Sequence, residues 1–416
     1  MPVQLNGEKG HIYGVSKPED FTWKQLLDAF SCVKCGRCHG SCPAFQTGER
    51  LKLKKLNGRL RTHMEQLNLR KEITPSENKP SKRKLVAGIL EEEALWSCTT
   101  CGACEEACPV SCEHLSKIID LRRYIASSVE NISPEVNQVF SRIESYGNPW
   151  GGKRSRVTVF SLTKELNIPT FAEGPDSEYL FFLGCAPFYD EAAQKATIAF
   201  TKILKKARID FAILGEEEVC CGETVRRLGN EYLFQTIASR NISNWNANGI
   251  KKIITTCPHC FNTLQNEYSQ LGGNYEVIPH LVFLKDLLQK GMLKPENHQN
   301  ISVTFHDSCY LGRYNGFYDE PREILKSIPG VSFVEMSRTR EDSFCCGAGG
   351  GLFWLREKSN QEISRNRADE AFATGAEAIS TACPYCRIVL QEQIGTENPG
   401  KEIKTLDIAE ILESSL

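Results

Sequence analysis

The chain has no apolar run approaching the roughly 18 residues that span a bilayer. Its longest candidates, 179–183 and 277–284, are strand-sized or broken by Pro and His. It also has almost no net charge: 50 Lys and Arg against 52 Asp and Glu, a balance of −2. Bulk electrostatics therefore point to neither nucleic acid nor an acidic membrane surface. The start, MPVQLNGEKG, lacks a basic segment followed by an apolar one and reads as no export signal. No dinucleotide fingerprint is present, and the glycine run Gly347-Ala348-Gly349-Gly350-Gly351 lacks the lysine and hydroxyl of a phosphate loop. A flavin or nicotinamide must then belong to a partner. These absences point to a soluble, cytoplasmic chain. Its 416 residues, 25% charged and 41% hydrophobic, suffice for two or three globular domains.

What the chain has in excess is cysteine: nineteen residues, eighteen of them in four ordered sets. Two sets read Cys-x2-Cys-x2-Cys-x3-Cys-Pro, namely Cys32, Cys35, Cys38 and Cys42, then Cys98, Cys101, Cys104 and Cys108. The other two read Cys, a long gap, Cys-Cys-Gly, a long gap, Cys-Pro-x-Cys. They are Cys185, Cys220, Cys221, Cys257 and Cys260, then Cys309, Cys345, Cys346, Cys383 and Cys386. Cys112 is left over and reads as a small buried residue. In a reducing compartment such usage means metal or redox chemistry rather than disulfides.

Three thiolates at x2 spacing wrap three corners of a cubane, and in two-cluster ferredoxins the fourth serves the other cluster. That rule assigns Cys32, Cys35, Cys38 and Cys108 to one [4Fe–4S] cluster, and Cys98, Cys101, Cys104 and Cys42 to a second. Paired zinc knuckles are the alternative, but the doubled spacing with proline favours iron–sulfur. A vicinal Cys-Cys does not easily give both thiolates to one compact cubane, yet it can bridge a more open assembly. Gly222 and Gly347 beside it let the backbone approach closely.

The first 150 residues read as mainly helical. Phe21, Leu26, Leu27 and Phe30 supply an apolar face over 19–31, and helices are expected near 51–69 and 113–129. The polar segment 71–84 reads as a solvated loop, with a docking role as the alternative. Asn148-Pro149-Trp150-Gly151-Gly152 reads as a hinge. From about 177 short apolar strands alternate with helices, the pattern of a largely parallel α/β sheet. The pattern then recurs: Cys185 to Cys309 is 124 positions, Cys220 to Cys345 is 125, and Cys257 to Cys383 is 126. A near-constant offset means internal duplication. The expected architecture is α+β overall: a helical two-cluster domain over 1–150, then α/β lobes over 177–295 and 300–416. The lobes are expected to be related by a pseudo-two-fold axis with a cleft between them. In each, cysteines follow strand ends, where open α/β sheets gather ligands.

Among other polar residues, His306 precedes Cys309 at a strand end. It reads either as a proton donor to a departing thiolate or as a hydrogen-bond donor to cluster sulfur. His259, inside Cys257-Pro-His-Cys260, reads as a hydrogen-bond partner of the same kind, and His280 as a satisfied core or helix-start residue. Arg226 and Arg227 read as exposed residues opening a helix, or as a pair facing an anion.

Several segments resemble one family closely: WSCTTCGACEEACPV followed by EHLSKIIDLRR, then GNPWG, CCGETVRRLGNEYLFQ, HDSCYLGRYN and CCGAGGGLFW. The chain resembles the heterodisulfide reductase family from about Phe21 to its end, and within it the iron–sulfur subunits associated with electron-transfer flavoproteins and acyl-CoA metabolism. The resemblance implies two noncubane [4Fe–4S] clusters, one per five-cysteine set, beside the two cubanes; cubanes with a spare cysteine are the alternative. It implies an iron–sulfur electron-transfer subunit of a multi-subunit oxidoreductase, partnered by an electron-transfer or bifurcating flavoprotein. Alternatives are a catalytic reductase with a thiol or disulfide substrate, and a relay subunit of an FAD-dependent 2-hydroxy acid or glycerol-phosphate dehydrogenase. Relatives with these motifs often carry an N-terminal membrane region. Here the residues before Phe21 are too few and too polar for one, so a soluble complex serving bifurcation or aromatic acyl-CoA reduction is expected.

Overall fold

A computed structural model describes residues 13–73, 91–128, 132–152, 161–174, 176–355, 358–397 and 403–416. The first twelve residues and most of the polar segment expected as a loop, 74–84, lie outside the described residues. The fold mixes helix and sheet, with helices over the ferredoxin-type motifs and two four-stranded parallel sheets beyond.

The helix Trp23–Ser31 starts at Thr22, whose hydroxyl accepts from the Gln25 amide while Gln25 returns a bond to the Thr22 amide. Of the face expected to be buried, Phe21 and Leu26 do pack on the core, but the rest does not. Leu27 and Phe30 are 48% and 41% exposed, whereas Gln25, Asp28 and Ala29 turn inward. The reason is Asp28. Its carboxylate accepts from Lys117 Nζ at 2.9 Å, Lys24 Nζ at 2.6 Å and the Glu113 amide at 2.9 Å. Lys117 is itself fully buried, so this pairing holds only if the helix shows its polar side to the interior.

The strands are β1 (Tyr179–Phe182), β2 (Phe211–Ala212), β3 (Lys252–Thr255), β4 (Glu276–Pro279), β5 (Ile301–Phe305), β6 (Val331–Val334), β7 (Ala378–Thr381) and β8 (Lys404–Asp407). They form sheets of order β2-β1-β3-β4 and β6-β5-β7-β8, so the second repeats the order of the first. Every pairing is parallel. Parallel strands end at one edge, and connections cross over through helices.

The lobes exchange helices reciprocally. Glu191–Lys206, after Cys185, packs on the last helix, Ile408–Ser415, while Glu320–Ser327, after Cys309, packs on His280–Gln289. Phe200, Leu281, Leu284, Ile324, Leu325 and Leu412 thereby share one buried core. His280 is the helix-start core residue expected; its Nε2 lies 3.2 Å from Asp407.

The expected hinge is instead a packed corner. Asn148 is fully buried and its amide donates to Tyr146 O and Gly152 O, while Trp150 stacks on Tyr189 and meets Trp354 edge-on. Pro and Gly turn the chain there without freeing it.

Candidate metal centres

The two ferredoxin-type motifs share a local conformation. Lys34 and Thr100 have φ of 58° and 51°, and Gly36 and Gly102 have φ of 88° and 77°. Left-handed residues between cysteines curl each loop around a common centre. The short helices Arg37–Gly40 and Ala103–Glu106 pack together, which crosses the motifs. Burial first, then the thiols of Cys32, Cys108 and Cys35, raise the pKa of Cys38. Burial and then Cys101 raise that of Cys42, with Cys98 close by. The thiols thus gather as Cys32, Cys35, Cys38 and Cys108, and as Cys42, Cys98, Cys101 and Cys104. Cys112 is buried beside them, its Sγ 3.5 Å from Asp28 O.

In each lobe the Cys-Pro-x-Cys stands at the start of a helix. Cys257 caps Pro258–Asn266 directly after β3, and Pro384 opens Pro384–Glu397 after β7. Proline at the first position loses no needed N–H, and the helix start favours thiolate. Gly222 and Gly347 take φ of 84° and 91°, and their amides donate to Cys220 Sγ at 3.4 Å and Cys345 Sγ at 3.3 Å. Cys221 Sγ lies 3.4 Å from Cys260 Sγ, and Cys346 Sγ 3.2 Å from Cys386 Sγ.

None of the nineteen cysteines forms a disulfide, which would bring sulfurs to about 2.05 Å. Hydrogen bonds from Cys220 and Cys260 pull Cys221 down to about 7, and those from Cys345 and Cys386 pull Cys346 well below the usual thiol range. Their partners Cys260 and Cys386 are pushed up. Such crowding leaves protons to be shared among thiols, whereas metal cations would take every sulfur as thiolate. All-cysteine donor sets of this kind fit iron–sulfur centres.

The second ferredoxin loop is seated on the second lobe. The Cys101 and Cys345 thiols lie beside one another. A Cβ on Gly349 would stand 2.4 Å from Thr99 O, and one on Gly350 2.3 Å from Cys98 O. The glycine run therefore serves close backbone packing, here against the ferredoxin loop. Arg122, fully buried, donates to Cys98 O at 2.8 Å, Gly350 O at 2.9 Å and Arg227 O at 3.0 Å, which joins the helical module to both lobes. Arg313 Nε donates to Cys101 O at 2.8 Å, and Tyr314 OH to Thr100 O at 2.6 Å.

Between the lobes, each Cys-Pro-x-Cys sends its middle residue across. Tyr385 OH lies 2.9 Å from Cys185 Sγ, and the His259 ring packs 4.1 Å from that of Tyr310. His259 Nδ1 lies 3.1 Å from Glu223 Oε1. Burial works against its cation, but Glu223 and the Cys383 thiol outweigh it and raise its pKa well above the usual value. Trp354 and Phe353 close around Tyr385.

His306 is held differently. Arg367 Nε donates to its Nδ1 at 3.0 Å, and burial, then the charge of Arg367, lower its pKa to about 3. Arginine has only donors, so the imidazole is neutral with its proton on Nε2. His306, Cys346 and Cys386 offer ligand atoms within 4.8 Å of one another. His306 thus stands beside the sulfurs of the second lobe with its orientation fixed by Arg367.

Arg226 and Arg227 correct their sequence reading. They are 6% and 7% exposed and pair with Glu267, Arg226 at 2.8 Å, because Glu223, Glu231 and Glu267 line the interior there. The sequence reading missed Tyr385, Glu223, Arg122 and Arg367. Tyr385 carried a signal, since it occupies the position that His259 fills in the first repeat. The others carried none, because their partners come from distant segments.

The fold and the cysteine sets define an iron–sulfur oxidoreductase subunit made of a two-cluster module and two cysteine-rich lobes. Residues 28–112 match the 4Fe-4S dicluster domain, and residues 179–265 and 303–391 match the cysteine-rich domain. The chain is 30% identical to a polypeptide of the dihydromethanophenazine:CoB–CoM heterodisulfide reductase from Methanosarcina barkeri, over 96% of each chain. It belongs to this heterodisulfide reductase family.

It is also 40% identical to the probable iron-sulfur-binding oxidoreductase FadF of Bacillus subtilis, over 100% of this chain and 63% of that protein. With the EtfAB:quinone oxidoreductase of Syntrophomonas wolfei it shares 36% identity, over 98% of this chain and 61% of that protein. The chain thus spans a little over three fifths of the length of these two relatives. A hypothetical protein from Helicobacter pylori shares the fold, with a TM-score of 0.52 at 10% identity over 88% of this chain and 69% of that one. Among the described residues no helix is long and apolar enough to cross a membrane.

Proposed function

We propose that this chain is the electron-transfer subunit of a multi-subunit oxidoreductase, working between a flavoprotein partner and a second redox partner. Domains 1–150, 177–295 and 300–416 would act as three stations. Cys32, Cys35, Cys38 and Cys108 hold one cubane, and Cys98, Cys101, Cys104 and Cys42 the other. Cys185, Cys220, Cys221, Cys257 and Cys260 hold one noncubane centre; Cys309, Cys345, Cys346, Cys383 and Cys386 hold the second across a pseudo-two-fold axis. When bound, such centres supply one-electron transfer at potentials set by ligation, hydrogen bonds and exposure.

The observation that carries this reading is the meeting of the ferredoxin module and the second lobe at Cys101, whose carbonyl accepts from Arg313 Nε at 2.8 Å with the Cys345 thiol beside it. Tyr385 OH lies 2.9 Å from Cys185 Sγ, and Trp354 and Phe353 pack on the Tyr385 ring between the lobes. The name of the Syntrophomonas wolfei relative supports an electron-transfer flavoprotein as partner.

The test is anoxic purification with metal analysis and identification of bound subunits. Four four-iron centres give roughly sixteen irons per chain, reducible by the co-purified flavoprotein. A zinc-filled, iron-poor product would refute the assignment.

A second reading, reduction of a disulfide between the lobes, draws on the end-to-end match to the heterodisulfide reductase polypeptide of Methanosarcina barkeri. A change in the paramagnetic resonance of the lobe centres on adding small disulfides supports it. An unchanged spectrum leaves the relay reading alone.

A further inference from the structure

The two ferredoxin loops are alike in conformation and opposite in exposure. Thr99, Thr100 and Cys101 are buried against the second lobe, whereas Val33 is 60% exposed and Lys34 and Cys35 face solvent. The helix leading into the exposed loop turns its apolar side outward: Trp23 is 76% exposed, Leu27 48% and Phe30 41%. These positions stand at i, i+4 and i+7, one above the other on a single helix face. The helix ends at Cys32, so the stripe runs directly into the thiol loop through Val33. Lys24 Nζ donates to Ser111 O at 3.3 Å, which brings Val110, 38% exposed, alongside Cys108. Five of the nine large apolar side chains exposed among the described residues thus lie around one set of four thiols.

The border of this patch is basic on the side of residues 34–61, in a chain whose overall charge is −2, and carries Glu105, Glu106 and Glu113 on the side of Cys108 and Ser111. Residues 34–61 carry Lys34, Arg37, Arg50, Lys52, Lys54, Lys55, Arg59 and Arg61 against one carboxylate of their own, Glu49, while Arg50 pairs with Glu91 and Glu93 and Arg61 with Glu65. The Lys54 amide donates to His39 Nε2 at 2.9 Å, beside Cys38, Arg61 lies over the Phe30 ring at 5.6 Å, and Lys52 and Lys55 line the adjoining groove with Glu91 and Leu95. A contiguous apolar patch with a charged border marks a protein contact. The outward face was not available to the interior, because Asp28 commits the opposite side of the helix.

We propose that the stripe Trp23, Leu27, Phe30 and Val33, bordered by Lys52, Lys54 and Lys55, is the docking surface for a flavin-carrying protein that presents an acidic face. The inference rests on the electron-transfer reading above and names where that partner sits. An apolar centre holds the partner, and opposite charge steers it. The exposed Cys35 loop then lies at the contact, while the like-built second loop faces inward.

The experiment uses the iron-loaded chain and a purified, FAD-loaded electron-transfer flavoprotein from the same cell, with binding followed by interferometry and reduction by bleaching of the visible band. Trp23→Ser with Leu27→Ser is expected to weaken binding about tenfold or more. Lys52→Glu with Lys55→Glu is expected to slow association about tenfold and to remove most of its salt dependence. Both variants should keep wild-type iron content and bleach normally with dithionite, which separates docking from folding. Variants that bind the flavoprotein as the wild type does overturn the surface while leaving the electron-transfer reading standing. A wild-type chain that the flavoprotein neither binds nor reduces overturns both. A wild-type dimer that Trp23→Ser converts to monomer gives the stripe to a second copy and overturns the proposal as well.

Discussion

His114 is buried at the start of the helix Leu115–Ser127, and its Nδ1 has no hydrogen-bond partner among the described residues. Burial, and then the charge of Lys117, lower its pKa to about 4 from an ordinary 6.5. The folded state therefore resists a proton that the unfolded chain accepts. The stability this neutral imidazole preserves is present above pH 6.5 and is lost as pH falls toward 4. By linkage the loss between pH 7.5 and 5.5 is about 1 kcal/mol. His114→Gln should remove that increment, so urea midpoints of the iron-loaded variant change less between those pH values than the wild type does. Equal pH sensitivity in both would show that His114 is protonated without penalty. Tyr385 and His306 act at the same scale with a different purpose. Each stands beside cluster-set sulfur, Cys185 for the one and Cys346 and Cys386 for the other.

At the scale of elements, the contact that matters most joins the loop Cys98–Cys101 to the glycine run 347–351. Gly350 has φ of 67° and no room for a methyl group, since Cys98 O would stand 2.3 Å away. Gly350→Ala must push the ferredoxin loop off the second lobe. Overpacking of this kind costs roughly 1–3 kcal/mol, in addition to the left-handed backbone. Gly48 provides the comparison: its φ is 91°, yet nothing lies within 4 Å. Gly48→Ala should cost only the backbone strain, about 1 kcal/mol. Denaturant unfolding of both variants tests this. If Gly350→Ala proves no worse than Gly48→Ala, the loop has room to move and the seating is loose. The helix Trp23–Ser31 makes the complementary point, because a buried ion pair on one face decided which side the solvent receives.

Over the whole molecule, the parts differ in what holds them together. The helices Arg37–Gly40, Pro43–Gln46 and Ala103–Glu106 are four residues each, too short to persist alone, and the thiols lie between them. The lobes instead have sheets and a shared apolar core of Phe181, Phe200, Leu284, Phe305, Leu325 and Leu412. Iron binding is then folding energy mainly for the first domain. Anoxic chelation should expose the amides of residues 13–128 to hydrogen exchange first, while β1, β3, β5 and β7 stay protected. Loss of protection in the strands before the helical module would contradict this order.

Periodicity and spacing sufficed for much of this. The four cysteine sets, the constant repeat offset and the alternation after 177 are local or periodic signals, and each follows from chain geometry that neighbouring residues impose. The repeated strand order and the placement of cysteines after β1, β3, β5 and β7 agree with them. Exposure was not legible in the same way. Leu27 and Phe30 read as core and lie at the surface, Arg226 and Arg227 read as surface and lie in the core, and the Pro-Gly corner at 148–152 is packed. In each case the outcome depended on a distant partner: Lys117 for the helix, Glu267 for the arginines, Tyr189 and Trp354 for Trp150. A sequence states which groups must be satisfied. Only the tertiary structure, by bringing opposite charges and complementary shapes together across a hundred residues, decides where that satisfaction is found.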